Sequence, residues 1–157
     1  MLYTNQKQTA IAEQDITCYK WLYMATESEH VTTFTGTFVP KDVVCGDAPF
    51  VAKGSVECEK RKSVDIRTQK THNFIYSSGL IHTFAYKNAE FIAPNHRYEQ
   101  YECVIPKGTE YVVGNNIKND IVFASKKIVF KKMIRRGPWT LDMEENAQTA
   151  ASKDILK

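Results

Sequence analysis

The sequence predicts an α+β fold: a single domain dominated by a twisted, mostly antiparallel β-sheet, with one short internal helix and a C-terminal helix. Three observations predict it. Apolar and aromatic residues alternate with a period of two through Ile16–Met24 and again through Lys126–Ile134, the spacing of a strand whose two faces differ. Short runs rich in Val, Ile, Thr, Phe and Tyr are separated by turn signals such as Pro106-Lys107-Gly108 and Gly114-Asn115-Asn116. Only residues 87–93 and 141–156 carry a helical pattern of useful length.

Taken in order, residues 1–14 are polar and unpatterned and read as a flexible N-terminal arm. The β-rich domain spans 15–136. Ile16 to Met24 is its first strand, with Ile16, Cys18, Leu22 and Met24 on one face and Tyr19, Trp21 and Tyr23 on the other. A strand apolar on both faces belongs in the middle of a covered sheet. Val31 to Val39 is a second strand, in which Gly36 marks a bulge or a close approach. Residues 40–54 are a broken connection punctuated by Pro40, Gly46, Pro49 and Gly54. Ser55 to Thr68 reads as two short strands around Glu59-Lys60-Arg61-Lys62, and His72–Tyr76 with Leu80–Tyr86 as a hairpin over Ser77-Ser78-Gly79. Lys87 to Ala93 is the short helix, stopped by Pro94. Strands follow over Tyr98–Ile105, Glu110–Val113, Ile121–Phe123 and Lys126–Ile134. Gly137-Pro138 then breaks the chain, and residues 137–157 form a C-terminal helix or tail, capped by Thr140 and carrying a thin apolar stripe.

Composition narrows the function classes. Of 157 residues, 43% are hydrophobic and 25% charged, which excludes disorder throughout. No apolar run reaches the roughly 18 residues of a membrane-spanning helix. The opening residues lack an apolar signal core, so a cytoplasmic location is expected. The four cysteines, Cys18, Cys45, Cys58 and Cys103, contain no C-x-x-C pair and have no histidines at zinc spacing. Cys18 and Cys103 lie within apolar alternations and are expected to be buried free thiols. Twenty-one Lys+Arg against 18 Asp+Glu leave a formal charge of +3. That is modest for a nucleic-acid binder, so the basic strip from Lys118 to Arg136 reads as a solvated strand face and nucleic acid is disfavoured as a partner.

Nucleophile elbows, P-loops, dinucleotide-binding glycine motifs and zinc-protease motifs are all absent, so no cofactor or metal is expected. His72 and His82, on neighbouring strands of the expected hairpin, lack the carboxylate that would make them a convincing metal site. The aromatic residues are more informative. Tyr19, Trp21 and Tyr86, together with His82, Arg67, Arg97 and Lys107, form a candidate ligand-binding set. Rings supply stacking faces and the cations would meet phosphate, so the ligand class is a small anionic, nucleotide-like molecule. The competing reading is that these rings form the core and its polar margin.

From Ser78 to Lys131 the order runs Gly79-Leu80-Ile81-His82-Thr83-Phe84, a short helix with Asn88-Ala89, the strand Tyr101-Glu102-Cys103-Val104-Ile105, then Pro106-Lys107-Gly108-Thr109 and Asp120-Ile121-Val122-Phe123. This order resembles the C-terminal half of the ADP-ribosyltransferase fold, and is similar in rhythm to small proteins carried by phages and gut bacteria. The resemblance covers about a third of the chain. It implies a transferase in which Asp120 and His82 act on an ADP-ribose-type substrate. Asp120, however, stands where that family has Glu, one methylene short of the reach needed to stabilise a developing oxocarbenium ion. The expectation is therefore a non-catalytic binding protein, of a kind that sequesters a signalling nucleotide for a phage. The alternatives are a virion or assembly component that contacts another protein, or a second copy of itself in a homo-oligomer, through the basic strand and the C-terminal helix, and a divergent transferase.

Overall fold

The computed structural model describes residues 2–6, 8–33, 35–52, 58–64, 71–76, 79–89 and 91–139, with the backbone alone of 58–64 and 72–76. Their alternating patterns resolve into thirteen strands and one helical turn. In chain order these are β1 (Leu2–Thr4), β2 (Ala10–Ile11), β3 (Ile16–Thr26), β4 (Glu29–Thr32), β5 (Phe38–Val39), α1 (Lys41–Val44), β6 (Phe50–Val51), β7 (Cys58–Val64), β8 (Thr71–Tyr76), β9 (Ile81–Phe84), β10 (Tyr98–Ile105), β11 (Glu110–Asn115), β12 (Ile121–Ser125) and β13 (Lys127–Arg136). The sheet is antiparallel and curls into a half-barrel, in the order β6-β13-β10-β3-β9-β12-β11-β1-β8-β7.

The centre is β3 against β10, in register from Tyr98 opposite Tyr23 to Ile105 opposite Ile16. One face of this pair buries Cys18, Leu22, Tyr101, Cys103 and Ile105 with Ile128 and Phe130 of β13, and Val43 and Val44 of α1 close over it. The opposite face buries Trp21 with Ala93 and Trp139, flanked by Phe91 and Tyr98. Leu2, Leu80, Val112, Val122 and Ala124 form a third cluster under β11 and β12. Burial on both faces of β3 is what its doubly apolar pattern requires. Cys18, Cys45 and Cys103 are free thiols, the first and last buried.

Several elements differ from the sequence expectation. Within the expected arm, Leu2–Thr4 is a strand held between β11 and β8, and Leu2 is fully buried. Three residues carry too little periodicity to announce a strand, and their place is fixed by neighbours seventy or more positions away. The strand expected over 31–39 is instead two paired strands, β4 and β5, between which Gly36 takes a left-handed φ of 67° and turns the chain. β7 is one strand with an irregularity between Lys60 and Ser63 instead of two. β8 and β9 do not pair with each other: β8 lies between β1 and β7, and β9 between β3 and β12. His72 and His82 are thus on separate strands that are not neighbours. Residues 86–89 make turns and Ala93 a bridge to Trp139 where a short helix was expected; the helical turn is Lys41–Val44. The domain continues through buried Trp139, and the expected C-terminal helix lies outside the described residues. No helix among the described residues is long and apolar enough to cross a membrane.

Candidate functional site

The site begins with a fork in the sheet. One edge of β3 is taken by β10 over Ile16–Tyr23. Its other edge is shared: β9 pairs at Tyr19, opposite Phe84, and β4 takes over from Leu22, opposite Thr32. Lys20 and Trp21 lie between these two partners, where the neighbouring strands diverge.

Divergence opens the sheet. A cleft of about 400 Å³ is lined by Tyr3, Lys20, Trp21, Thr33, His82, Thr83, Phe84, Phe91, Asn116, Ile117, Lys118 and Val122. A smaller hollow of about 120 Å³, lined by Lys20 and His82 with Thr32, Thr35, Phe50 and Ile81 among others, adjoins the same fork. Lys20 and His82 therefore border both spaces.

Lys20 is the unusual residue. It sits on the Cys18 and Leu22 face of an apolar strand and is only 7% exposed. Its Nζ donates to the carbonyl oxygen of His82 at 2.7 Å. Among the described residues no carboxylate is set against it; the titrating groups that interact with it are the Cys103 and Cys18 thiols and the His82 ring. Burial lowers its pKa from 10.5 to about 8, because the ammonium is stripped of water without a counter-ion. Burial likewise lowers His82 to about 4, with the Lys20 charge adding to the effect, so the imidazole is neutral at pH 7. Burial pushes the Cys18 thiol up to about 11, against a hydrogen bond with Thr83. These thiols are uncharged and cannot neutralise the lysine.

The cleft's rim is built by the turn after β11. Asn116 Oδ1 accepts from the backbone N–H groups of Lys118 and Asp120, at 3.1 and 2.9 Å, and its Nδ2 donates to Asp120 Oδ2 at 3.1 Å. Asn119 completes the turn at φ 66°. Asp120 thereby serves the turn. On the β9–β12 ladder His82 faces Ala124, four positions beyond Asp120, or about 13 Å at the usual strand rise. The implied transferase pair of Asp120 and His82 is not brought together at one reacting atom.

Of the expected ligand-binding set, Trp21 and His82 line the cleft. Tyr19 sits one step before the fork, at the β9 contact. Tyr86 is exposed beyond the end of β9. Arg97 is exposed and its Nη1 donates to the carbonyls of Met24 and Ala25, at 3.2 and 3.3 Å. Lys107 lies at the far end of β10, where its backbone N–H meets Asp15 Oδ1 at 2.9 Å. Arg67 lies outside the described residues. The expectation omitted Lys20, although the sequence holds its signal: a lysine in register with inward-facing Cys18 and Leu22 breaks the apolar pattern, and such a break marks a functional position more often than a structural one.

A second polar cluster stands apart from the fork. Glu99, 3% exposed, accepts from His30 Nε2 at 2.6 Å, Tyr101 Oη at 3.1 Å, and Arg136 Nε and Nη2 at 3.1 and 2.6 Å. Burial works against its carboxylate, yet these donors together hold its pKa below the ordinary value. All of its acceptor sites are used, so this cluster reads as a structural tie between β4, β10 and β13.

Compared with family models, curated proteins and solved structures, the chain matches none.

Proposed function

We propose that this protein is a non-catalytic binder of a small anionic ligand with a flat ring, nucleotide-like in its chemistry, held in the cleft at the β3 fork. The observation that carries this reading is Lys20: a buried ammonium, one of whose three N–H donors is taken by a backbone carbonyl, and which has no carboxylate against it among the described residues. A buried cation left in this state is costly. An anion entering the cleft would supply both the missing charge and the missing acceptors. Phe84 and Phe91 provide walls on which a ring can lie, with buried Trp21 stacked against Phe91 at 5.3 Å, while Asn116 and Lys118 stand at the rim. The volume falls within the range of ordinary small-molecule sites. Sequestration of a signalling nucleotide is a role such a pocket would serve.

A thermal-shift screen of nucleotides and simpler phosphate esters tests the reading. A ligand present at about a hundred times its Kd should raise Tm by roughly 5 °C or more, and Lys20→Met should remove the effect. A screen in which no anion stabilises the protein, or in which Lys20→Met binds as well, would overturn it.

A further inference from the structure

We propose that Lys20 is an imine-forming amine, and that the cleft at the fork takes an anionic ligand bearing an aldehyde or ketone carbon. The inference rests on the anion-binding reading of the same cleft and deepens it by naming the reactive group. Three features of the site support it. The amine is withdrawn from water but borders a cavity large enough for a ring-bearing ligand. Among the described residues its Nζ is steered by the carbonyl of His82, and before a ligand enters it is not locked into an ion pair that would hold its proton. The His82 ring borders the same space and is neutral at pH 8, so it sets no second positive charge beside the amine.

The step balances without any other reactant. The Nζ lone pair attacks the carbonyl carbon, a C–N bond forms, and the π pair moves to oxygen, which takes a proton. The carbinolamine then loses a nitrogen-bound proton and its C–O bond, so that amine and carbonyl become imine and water. Nothing is oxidised or reduced.

Reactivity follows from how much free amine is present. At pH 8 about half of an amine with a pKa near 8 is neutral, against about one part in 300 for an ordinary lysine at 10.5. A less basic nucleophile attacks more slowly, and a slope like that of thiols takes back a factor of about 13. The net preference for Lys20 over an exposed lysine is about tenfold.

The experiment incubates the full chain at pH 8 with pyridoxal 5′-phosphate or, in parallel, with glyoxylate, traps imines with cyanoborohydride, and maps labelled lysines by peptide mass spectrometry over time. Lys20 should be labelled about tenfold faster than Lys107, Lys118 or Lys131 by at least one probe. Labelling of the exposed lysines at equal or greater rates with both probes overturns the imine. The companion measurement is the thermal shift given by pyridoxine 5′-phosphate, which has no carbonyl. If it stabilises the wild type while Lys20 resists labelling, imine chemistry fails and anion binding stands; if neither it nor any anion of the nucleotide and phosphate-ester screen gives a shift and Lys20 is unlabelled, both fail. Lys20→Arg, which keeps the charge, should retain that shift and lose the label; a label retained at the fork in this variant would also overturn the assignment.

Discussion

At Lys20 a single side chain sets both a cost and a pH profile. Its folded pKa of about 8 lies below the unfolded value of 10.5, so below pH 8 the native state carries a penalty of about 3 kcal/mol that fades as pH rises to 10.5. Lys20→Met should therefore melt higher than the wild type at pH 7, and the gap should narrow between pH 8 and 10.5, as read by melts of the two proteins side by side. Cys18 acts in the opposite sense: its raised pKa makes the folded state lose ground from pH 9 to 11, and the paired comparison removes that common effect. His82 governs the acid side. With a folded pKa near 4 against 6.5 unfolded, it keeps its full contribution above pH 6.5 and loses it as pH falls to 4. His82→Gln should flatten the decline between 6.5 and 4.5, before Glu99 begins to protonate. Glu99→Ala, which leaves Arg136 and His30 without their shared acceptor, should cost about 3 kcal/mol by denaturant melts.

Among the elements, β1 is the most exacting. Gly114 of β11 lies so close to it that a β-carbon there would collide with the Tyr3 carbonyl oxygen and the Leu2 side chain. Gly114→Ala should therefore cost about 2 kcal/mol and speed amide exchange in β1 and β8 ahead of β3 and β10. A stable variant with unchanged exchange would show that β1 yields without loss. On the opposite face, Trp139 stacks on Trp21 at 5.7 Å, and Arg135 lies over the Trp139 ring at 4.3 Å. This packing gives the cleft's Trp21 a fixed backing. The elements legible from sequence were those with their own periodicity: Tyr98–Ile105 coincides with β10, and Ile16–Met24 with most of β3. The hairpin expected from His72 to Tyr86 failed because adjacency in sequence says nothing about which edges are already occupied.

For the molecule as a whole, the described part of the sheet order joins β8 and β7 to the remainder through β1. Removing residues 1–5 should release that pair and expose β7 and β8 to limited proteolysis while β3, β10 and β13 stay protected; uniform resistance would show that other contacts hold it. The same topology makes the cleft. β9 and β4 compete for one edge of β3, and neither covers Lys20 and Trp21.

By itself the sequence determined the β-rich class, the two-faced character of β3, the burial of Cys18 and Cys103, and two of the residues that border the cleft, Trp21 and His82. These are properties of alternation along one strand, where a side chain's neighbours two positions away reveal its face. Tertiary structure alone decided that Leu2–Thr4 enters the sheet, that β8 and β9 part company, and that Lys20 faces an opening instead of a strand. Those outcomes depend on how backbone edges far apart in the chain are shared, and one strand's periodicity carries no record of which partner lies along its edge or where that partner ends.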